Sequence, residues 1–167
     1  MKSSIFRRPS SIPANASSHL AVVTGSATVY AASTAPLTED APVGPSNPYA
    51  VSKLAQEDLS LRAAREDGLE VIVARSFNHT GPRQSAEFAA PAFARQVAMI
   101  ECGECPPVIR VGNLDARRDW GYAGDYVDAM WRMLQLDSPE DFVVGTGQTW
   151  SVRQLCEEAF GYKNLDY

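Results

Sequence analysis

Short apolar runs alternate with longer stretches of helical periodicity along this chain. Leu20-Ala21-Val22-Val23-Thr24 predicts a short buried strand. Ala35 to Pro48 is rich in Pro, Ser and Asn and predicts a loop. Asn47 reads as an N-cap with Pro48 at the first helical position. The helix is expected from about Tyr49 to Asp67, with Leu54, Leu59 and Ala63 among its apolar positions and Gly68 as its stop. Val71-Ile72-Val73-Ala74 is a continuous, β-branched run that suits a strand covered on both faces.

The alternation continues in the second half. A helix is expected over Phe88 to about Ile100, with Pro91 in its first turn, and a strand over Val108-Ile109-Arg110-Val111. Tyr126 to Leu136 predicts a helix, with Val127, Met130, Trp131 and Leu134 at helical spacing. The stripe of Met130, Trp131, Met133 and Leu134 reads as core, not as a cofactor box. Phe142-Val143-Val144 predicts another strand, and Ser151 with Gln154 forms a capping box that opens a last helix through Phe160. There is no internal repeat. Strands alternating with helices imply an α/β layer with parallel pairing.

The 167 residues are enough for one domain with a real core. A net charge of −5 argues against general nucleic-acid binding, because no basic excess is available to neutralise phosphates. It leaves room for a local arginine cluster facing a small phosphorylated ligand. No stretch approaches the roughly 20 apolar residues that span a bilayer. Met1 to Pro13 is Ser-rich, carries Lys2, Arg7 and Arg8, and is followed by no acidic residue before Glu39. That composition is similar to an organellar transit peptide without the apolar core of a secretory signal. The plainer reading is a disordered leader over residues 1–18, or the poorly defined start of a truncated reading frame, in a cytoplasmic protein. Cys102-Gly103-Glu104-Cys105 has the C-x-x-C form used by zinc and redox sites. A structural zinc needs four ligands, and Cys156, His19 and His79 offer no second pair at the right spacing. No metal is expected, and the cysteines read as reduced intracellular thiols near a loop.

The chemistry concentrates in Asn47-Pro48-Tyr49-Ala50-Val51-Ser52-Lys53. Residues four apart share one helix face, so Lys53 brings an ammonium near the Tyr49 phenol. A nearby positive charge favours a phenolate, which makes Tyr49 a candidate general acid/base. Ser26 follows the strand ending at Thr24, where α/β sheets place their ligands, although taken alone it reads as a turn residue. Val22-Val23-Thr24-Gly25 is not a dinucleotide-binding turn. No further glycine follows from Ser26 to Ala35, and the sequence contains no recognisable G-x-x-G-x-x-G.

Several segments together resemble a known family. Gly25-Ser26-Ala27-Thr28-Val29-Tyr30, Pro36-Leu37-Thr38-Glu39-Asp40 and Pro48-Tyr49-Ala50-Val51-Ser52-Lys53 look like the extended short-chain dehydrogenase/reductases that act on sugar nucleotides. Arg75-Ser76-Phe77-Asn78-His79-Thr80-Gly81-Pro82 is similar to the segment after the catalytic helix in that family. The stretch from Val111 to Ala123, with Gly112-Asn113-Leu114-Asp115-Ala116-Arg117-Arg118-Asp119-Trp120, resembles the GDP-mannose 4,6-dehydratases. So does the continuation from Asp125 to Trp131 and on to Thr146-Gly147 and Ser151-Val152-Arg153. The likeness runs from about Leu20 to Phe160. It implies an α/β fold, the C-terminal part of a Rossmann-like NAD(P)-binding fold plus a small substrate-binding region. The expected division is 19–85 for a partial Rossmann-like catalytic region and 86–167 for a sugar-nucleotide-binding region with returning Rossmann elements.

The resemblance implies a mechanism and its residues. Tyr49 takes the proton from the sugar O4 while hydride passes from C4 to the nicotinamide. Lys53 supports the tyrosine and bonds the nicotinamide ribose, and Ser26 orients O4. The cofactor is NADP, with NAD as the alternative, and it also meets Phe77 and Asn78. The GDP-sugar meets Asn78, Asn113, Arg118 and Glu140. The complete enzyme is expected to be a homo-oligomer that needs neither nucleic acid nor membrane. A guanidinium fork at Arg118 suits a diphosphate, against the plain alternative of a surface salt bridge with Asp115 or Asp119. On sequence alone Glu140 also reads as a solvated loop acid, and His79 as a satisfied structural histidine.

Two departures keep three readings open. The dehydratases use a glutamate two residues after the Ser/Thr for the elimination across C5 and C6, and Thr28 stands there. Ala89-Ala90-Pro91-Ala92 also replaces a basic pair, and Phe77 to Gln96 looks more like the GDP-6-deoxy-4-keto-mannose reductases. The readings are a dehydratase, a reductase or related epimerase, and an inactive truncated half.

Overall fold

The computed structural model of the chain describes residues 20–162, so the expected leader lies outside the described residues. Strand β1, Leu20–Thr24, leads through a 3-10 turn at Ala27–Val29 and a long loop into helix α1, Pro48–Asp67. The loop ends as its sequence requires. Asn47 has an extended backbone and its Oδ1 accepts from the Ala50 N–H at 2.9 Å, while Pro48 takes the first helical position. Gly68 closes the helix in the left-handed conformation, at φ 70°. Strand β2, Glu70–Ser76, then pairs with β1 in parallel, from Leu20↔Glu70 to Thr24↔Ala74.

A short strand β3, Asn78–Thr80, and helix α2, Ala89–Glu101, follow. After a long connection come β4, Arg117–Arg118, β5, Trp120–Tyr122, and helix α3, Ala123–Met133. Strand β6, Phe142–Val144, returns to the main sheet and pairs in parallel with β2, giving the order β1-β2-β6. Strand β7, Trp150–Ser151, leads into α4, Val152–Gly161, through the expected capping box of Ser151 and Gln154. Two small ribbons complete the pairing. β3 runs parallel with β5, and β4 antiparallel with β7.

β2 is the central strand, and its two faces carry two cores. Ile72 and Ala74 pack with Met133 of α3, joined by Leu20, Val22, Ala129, Met130, Phe142 and Val144. The other face meets α1 and the 3-10 turn, where Ala27, Val29 and Tyr30 gather Leu37, Leu54, Phe77 and Val143. Ile72, Val73 and Ala74 are fully buried, as a continuous apolar run covered on both sides should be. Each such aliphatic side chain contributes about 1.5–3 kcal/mol. Away from the sheet, α2 packs on α4, and these helices bury Phe93, Val97, Cys156 and Phe160.

Three sequence expectations change. Val108–Val111 forms no strand, because the segment leaves Pro106-Pro107 and finds no strand partner among the described residues. It lines an apolar cavity of about 260 Å³ with Leu114, Cys156 and Phe160 instead. α3 begins at Ala123, three residues ahead of the expected Tyr126, with Asp125 favourably placed in its first turn, and it ends at Met133. The Met130–Leu134 stripe is also split, since Met130 and Met133 face the sheet while Trp131 and Leu134 are exposed.

Candidate active site

The C-terminal ends of β1 and β2 and the first turns of α1 converge on one edge of the sheet. Beyond Thr24, Ser26 has an extended backbone and caps the 3-10 turn. Its Oγ accepts from the Thr28 N–H at 3.3 Å and shares a hydrogen bond with Thr28 Oγ1 at 2.9 Å. Ser26 is buried and Thr28 exposed. Gly25 allows a close approach here: a Cβ would lie 2.8 Å from Glu57 Oε1 and 3.1 Å from Val73 Cγ1. This glycine therefore serves helix-on-sheet packing, and the side chain of Glu57 closes it to a phosphate.

Tyr49 lies in the first turn of α1 and is 55% exposed. One turn on, Lys53 Nζ donates to the Thr24 carbonyl at 3.0 Å and to Gln56 Oε1 at 3.1 Å. The same ammonium is 6.0 Å from the centroid of the Tyr49 ring. Lys53 thus ties the Tyr49 turn of α1 to the end of β1, two residues before Ser26. Phe77 follows β2 and packs on the Ala27–Tyr30 cluster, its N–H donating to the Val144 carbonyl at 2.8 Å. Asn78 is next, exposed at the start of β3.

A buried ionic network beneath this edge has no signature in the sequence spacing. Glu57, one turn after Lys53, is 1% exposed. Its Oε2 accepts from Arg75 Nε at 3.0 Å and forms an ion pair with Arg75 Nη2, also at 3.0 Å. Arg75 Nη1 donates to the Tyr30 hydroxyl at 2.9 Å and to the Glu39 carbonyl at 3.0 Å, and the guanidinium lies 5.1 Å from the centroid of the Tyr30 ring. Burial alone would make Arg75 easier to deprotonate, but its bonds with Glu57 and Tyr30 prevail and hold its pKa above the usual value. Glu39 Oε1 accepts from the Val143 N–H at 2.8 Å, which holds that carboxyl below the usual range. α1, β2, the Ser26 turn and β6 are therefore fastened together directly behind the candidate acid/base.

Beside Asn78 opens a cleft of about 250 Å³. The paired strands β3 and β5 place Asn78 opposite Trp120 in register, and both line the cleft with Arg118, Thr80 and Gln84. The N-terminus of α2 forms one wall through Ala89 and Ala90. Phe88 caps that helix with no side-chain hydrogen bond, its first turn holds no acidic residue, and Pro91 has no N–H. The first amides of α2 are thus free for an anion, which a helix N-terminus favours. Arg118 Nη1 donates to the Arg117 carbonyl at 2.7 Å, and among the described residues Arg118 makes no ion pair. Asp115 pairs with Arg153 at 3.5 Å. Asp119 is buried and accepts from the Thr146 hydroxyl and the Thr146 and Gly147 N–H groups. Both carboxylates expected as partners of Arg118 are engaged elsewhere.

Two expected ligand residues lie apart from the cleft. Asn113 turns its Oδ1 back to the Asp115 N–H at 2.9 Å. Glu140 is exposed and lies two residues before Phe142, which pairs with Ala74, and it does not line the cleft. Thr80, Gln84 and Trp120 were not singled out by the sequence, although a period of two links Thr80 to Asn78 and Trp120 to Arg118. His79 also lines the cleft. Its Nδ1 is 2.9 Å from the Phe77 carbonyl, and its ring stacks on Tyr126 at 4.7 Å, which bears out a satisfied histidine.

Solved structures share this architecture. RMD from Pseudomonas aeruginosa, complexed with NADPH, matches with a TM-score of 0.84 at 33% identity, over 88% of this chain and 52% of that one. MoeE5 in complex with UDP-glucose and NAD matches with a TM-score of 0.78 at 29% identity, over 88% and 49% of the two chains. The family model for GDP-mannose 4,6 dehydratase matches residues 13–167. The chain belongs to the GDP-mannose 4,6 dehydratase family. The GDP-mannose 4,6 dehydratase of Homo sapiens is 43% identical over 127 residues, covering 75% of this chain and 33% of its own length. GDP-mannose 4,6 dehydratase 1 of Arabidopsis thaliana is 36% identical over 143 residues, covering 86% and 39%. The chain thus spans between a third and two fifths of these GDP-mannose 4,6 dehydratases. Its mixed α/β fold with a parallel sheet is that of the Rossmann-like NAD(P)-binding members, as the sequence resemblance implied.

Proposed function

We propose that the chain carries the catalytic and sugar-nucleotide-binding part of an NADP-dependent enzyme of the GDP-mannose 4,6-dehydratase type. The observation that carries this reading is the Lys53–Thr24 bond, which sets the Tyr49 turn of α1 beside the Ser26 turn at the ligand edge of the sheet. Tyr49, 55% exposed, is free to hold or give a proton at the sugar O4. Lys53 keeps a fixed positive charge by the ring, and the Ser26 hydroxyl orients O4. Arg118 and the free amides of α2 take the diphosphate, with Asn78 beside them. Asn113 and Glu140, the other residues expected to meet the GDP-sugar, do not line the cleft.

The residues fit the nicotinamide end of NADP, or of NAD, which Tyr49, Lys53, Phe77 and Asn78 would hold. They supply no pyrophosphate cradle, since the sequence has no glycine motif and Gly25 is closed by Glu57. When bound, the nicotinamide supplies hydride exchange at the sugar carbon. A second reading, a reductase of the 4-keto sugar, is favoured by Thr28. Its hydroxyl bonds Ser26 Oγ at 2.9 Å and is no base for an elimination at neutral pH.

Calorimetric titration of the chain with GDP-mannose and GDP tests the binding half of the proposal. Both nucleotides should bind, and Arg118→Met should weaken each about 10- to 100-fold, the worth of one charge-assisted contact. No binding of either nucleotide refutes it. Turnover of GDP-mannose to the 4-keto-6-deoxy sugar supports the dehydratase. Consumption of NADPH with the keto sugar, and no turnover of GDP-mannose, gives the reductase.

A further inference from the structure

Cys102 and Cys105 take no part in the cleft, and the geometry around them is that of a closed turn. α2 ends in a paired-bond stop. The Gly103 N–H donates to the Ile100 carbonyl at 3.0 Å and the Glu104 N–H to the Met99 carbonyl at 2.9 Å. Gly103 holds φ at 70°, a conformation that L side chains rarely adopt. The chain therefore reverses between the two cysteines, and the turn is fixed by backbone bonds independent of either thiol. Two intervening residues place the pair at the spacing that dithiol redox motifs use.

The three thiols differ sharply in access. Cys102 is exposed and Cys105 half-buried, and both are free. Cys156 is buried, and burial with Glu157 nearby pushes its thiol pKa up. A buried thiol of that kind is inert, whereas exchange with a small disulfide requires an accessible sulfur. Cys105 is also followed by Pro106-Pro107 and then by Val108, Ile109 and Val111, which line the apolar cavity against Cys156 and Phe160.

We propose that Cys102 and Cys105 form a reversible dithiol–disulfide modification site at the end of α2, oxidised by low-molecular-weight disulfides. The Cys102 thiolate attacks one sulfur of the small disulfide and releases one small thiol. The Cys105 thiolate then attacks the Cys102 sulfur of the mixed disulfide and releases the second. One protein S–S bond forms, one small-molecule S–S bond breaks, and the two protein thiol protons end on the two released thiols. The ring encloses only Gly103 and Glu104, so it removes little chain entropy and is readily reversed. Closing it anchors Cys105 and limits the freedom of the segment that enters the cavity wall.

The test equilibrates the full chain with glutathione and glutathione disulfide at graded ratios, followed by acid quench, alkylation and peptide mass mapping. The expected product loses two hydrogens in the peptide that holds both cysteines, keeps Cys156 alkylatable only after denaturation, and reverts with dithiothreitol. Amide exchange at Val108 to Val111 should slow in the oxidised form. Cys102→Ser and Cys105→Ser should each leave a glutathione adduct on the remaining thiol at ratios where the parent chain carries none. The proposal is overturned by persistent glutathione adducts on the parent chain, by no oxidation at any ratio, or by unchanged exchange at Val108 to Val111.

Discussion

Replacing Glu57 with leucine removes one half of an ion pair whose side chains are 2% exposed at Glu57 and 12% at Arg75. Arg75 would stay buried with its charge but keep its bonds to the Tyr30 hydroxyl and the Glu39 carbonyl. Breaking a buried pair costs about 3–5 kcal/mol, and these surviving bonds put Glu57→Leu near the lower end, about 3 kcal/mol. Arg75→Met leaves Glu57 with no partner at Oε2, and Oε1 already has none, so a loss of about 3 kcal/mol or more is expected. The double substitution removes both charges and fills the space with apolar atoms. It should cost only about 1 kcal/mol, far from an additive loss of about 6. Urea unfolding followed by tryptophan fluorescence reads all four proteins, and with a slope of about 1.5 kcal/mol/M each single change moves the midpoint by about 2 M. A double variant as unstable as the summed singles would refute the idea that the two charges act as one unit.

Three more outcomes are expected. The carboxyl of Glu39 is held below 4.5 mainly by the Val143 N–H, so its stabilisation is full above the unfolded value and fades as pH falls through the folded one. Acid unfolding of Glu39→Gln should therefore lose that pH-dependent component, as read by urea midpoints on the acid side of 4.5. The phenol of Tyr126 is pushed up to about 12, first by burial and then by Asp119 and Asp125, and its hydroxyl has no partner among the described residues. Tyr126→Phe should leave stability unchanged or raise it by about 1 kcal/mol, and should remove the loss of stability expected as pH rises from 10 to 12. Gly121→Ala would drive a Cβ into the Tyr126 ring and to 3.0 Å from Thr146 Cγ2, lowering stability by about 1–3 kcal/mol in thermal unfolding.

What the sequence disclosed depended on how far each signal reaches along the chain. The ends of α1 and the start of α4 were legible because Asn47, Pro48, Gly68, Ser151 and Gln154 act within one helical turn. β2 was legible because burial on both faces needs a continuous apolar run. Val108 to Val111 is also rich in β-branched residues, although Arg110 interrupts it, and it has no strand partner among the described residues, so it forms a cavity wall instead. The Tyr49–Lys53 pair could be read from its spacing. Glu57 could not be read as buried, because Arg75 is 18 residues away and joins it only when β2 forms. Arg118 illustrates the same limit: its lack of an ion pair among the described residues depends on Arg153 taking Asp115 and on Thr146 and Gly147 taking Asp119.

The hydrogen bond from the Val143 N–H to Glu39 spans 104 residues of chain. β1, α1 and β2 form a contiguous unit, whereas β6 reaches β2 only after everything between them has been made. Closing so long a loop costs entropy before any contact repays it, so the docking of β6 belongs late on the folding route. Changes at Phe142 to Val144 should then speed unfolding and leave the folding rate nearly untouched. The Glu39 carboxylate would act as a kinetic latch, holding the last strand in place and setting how long the assembled sheet survives.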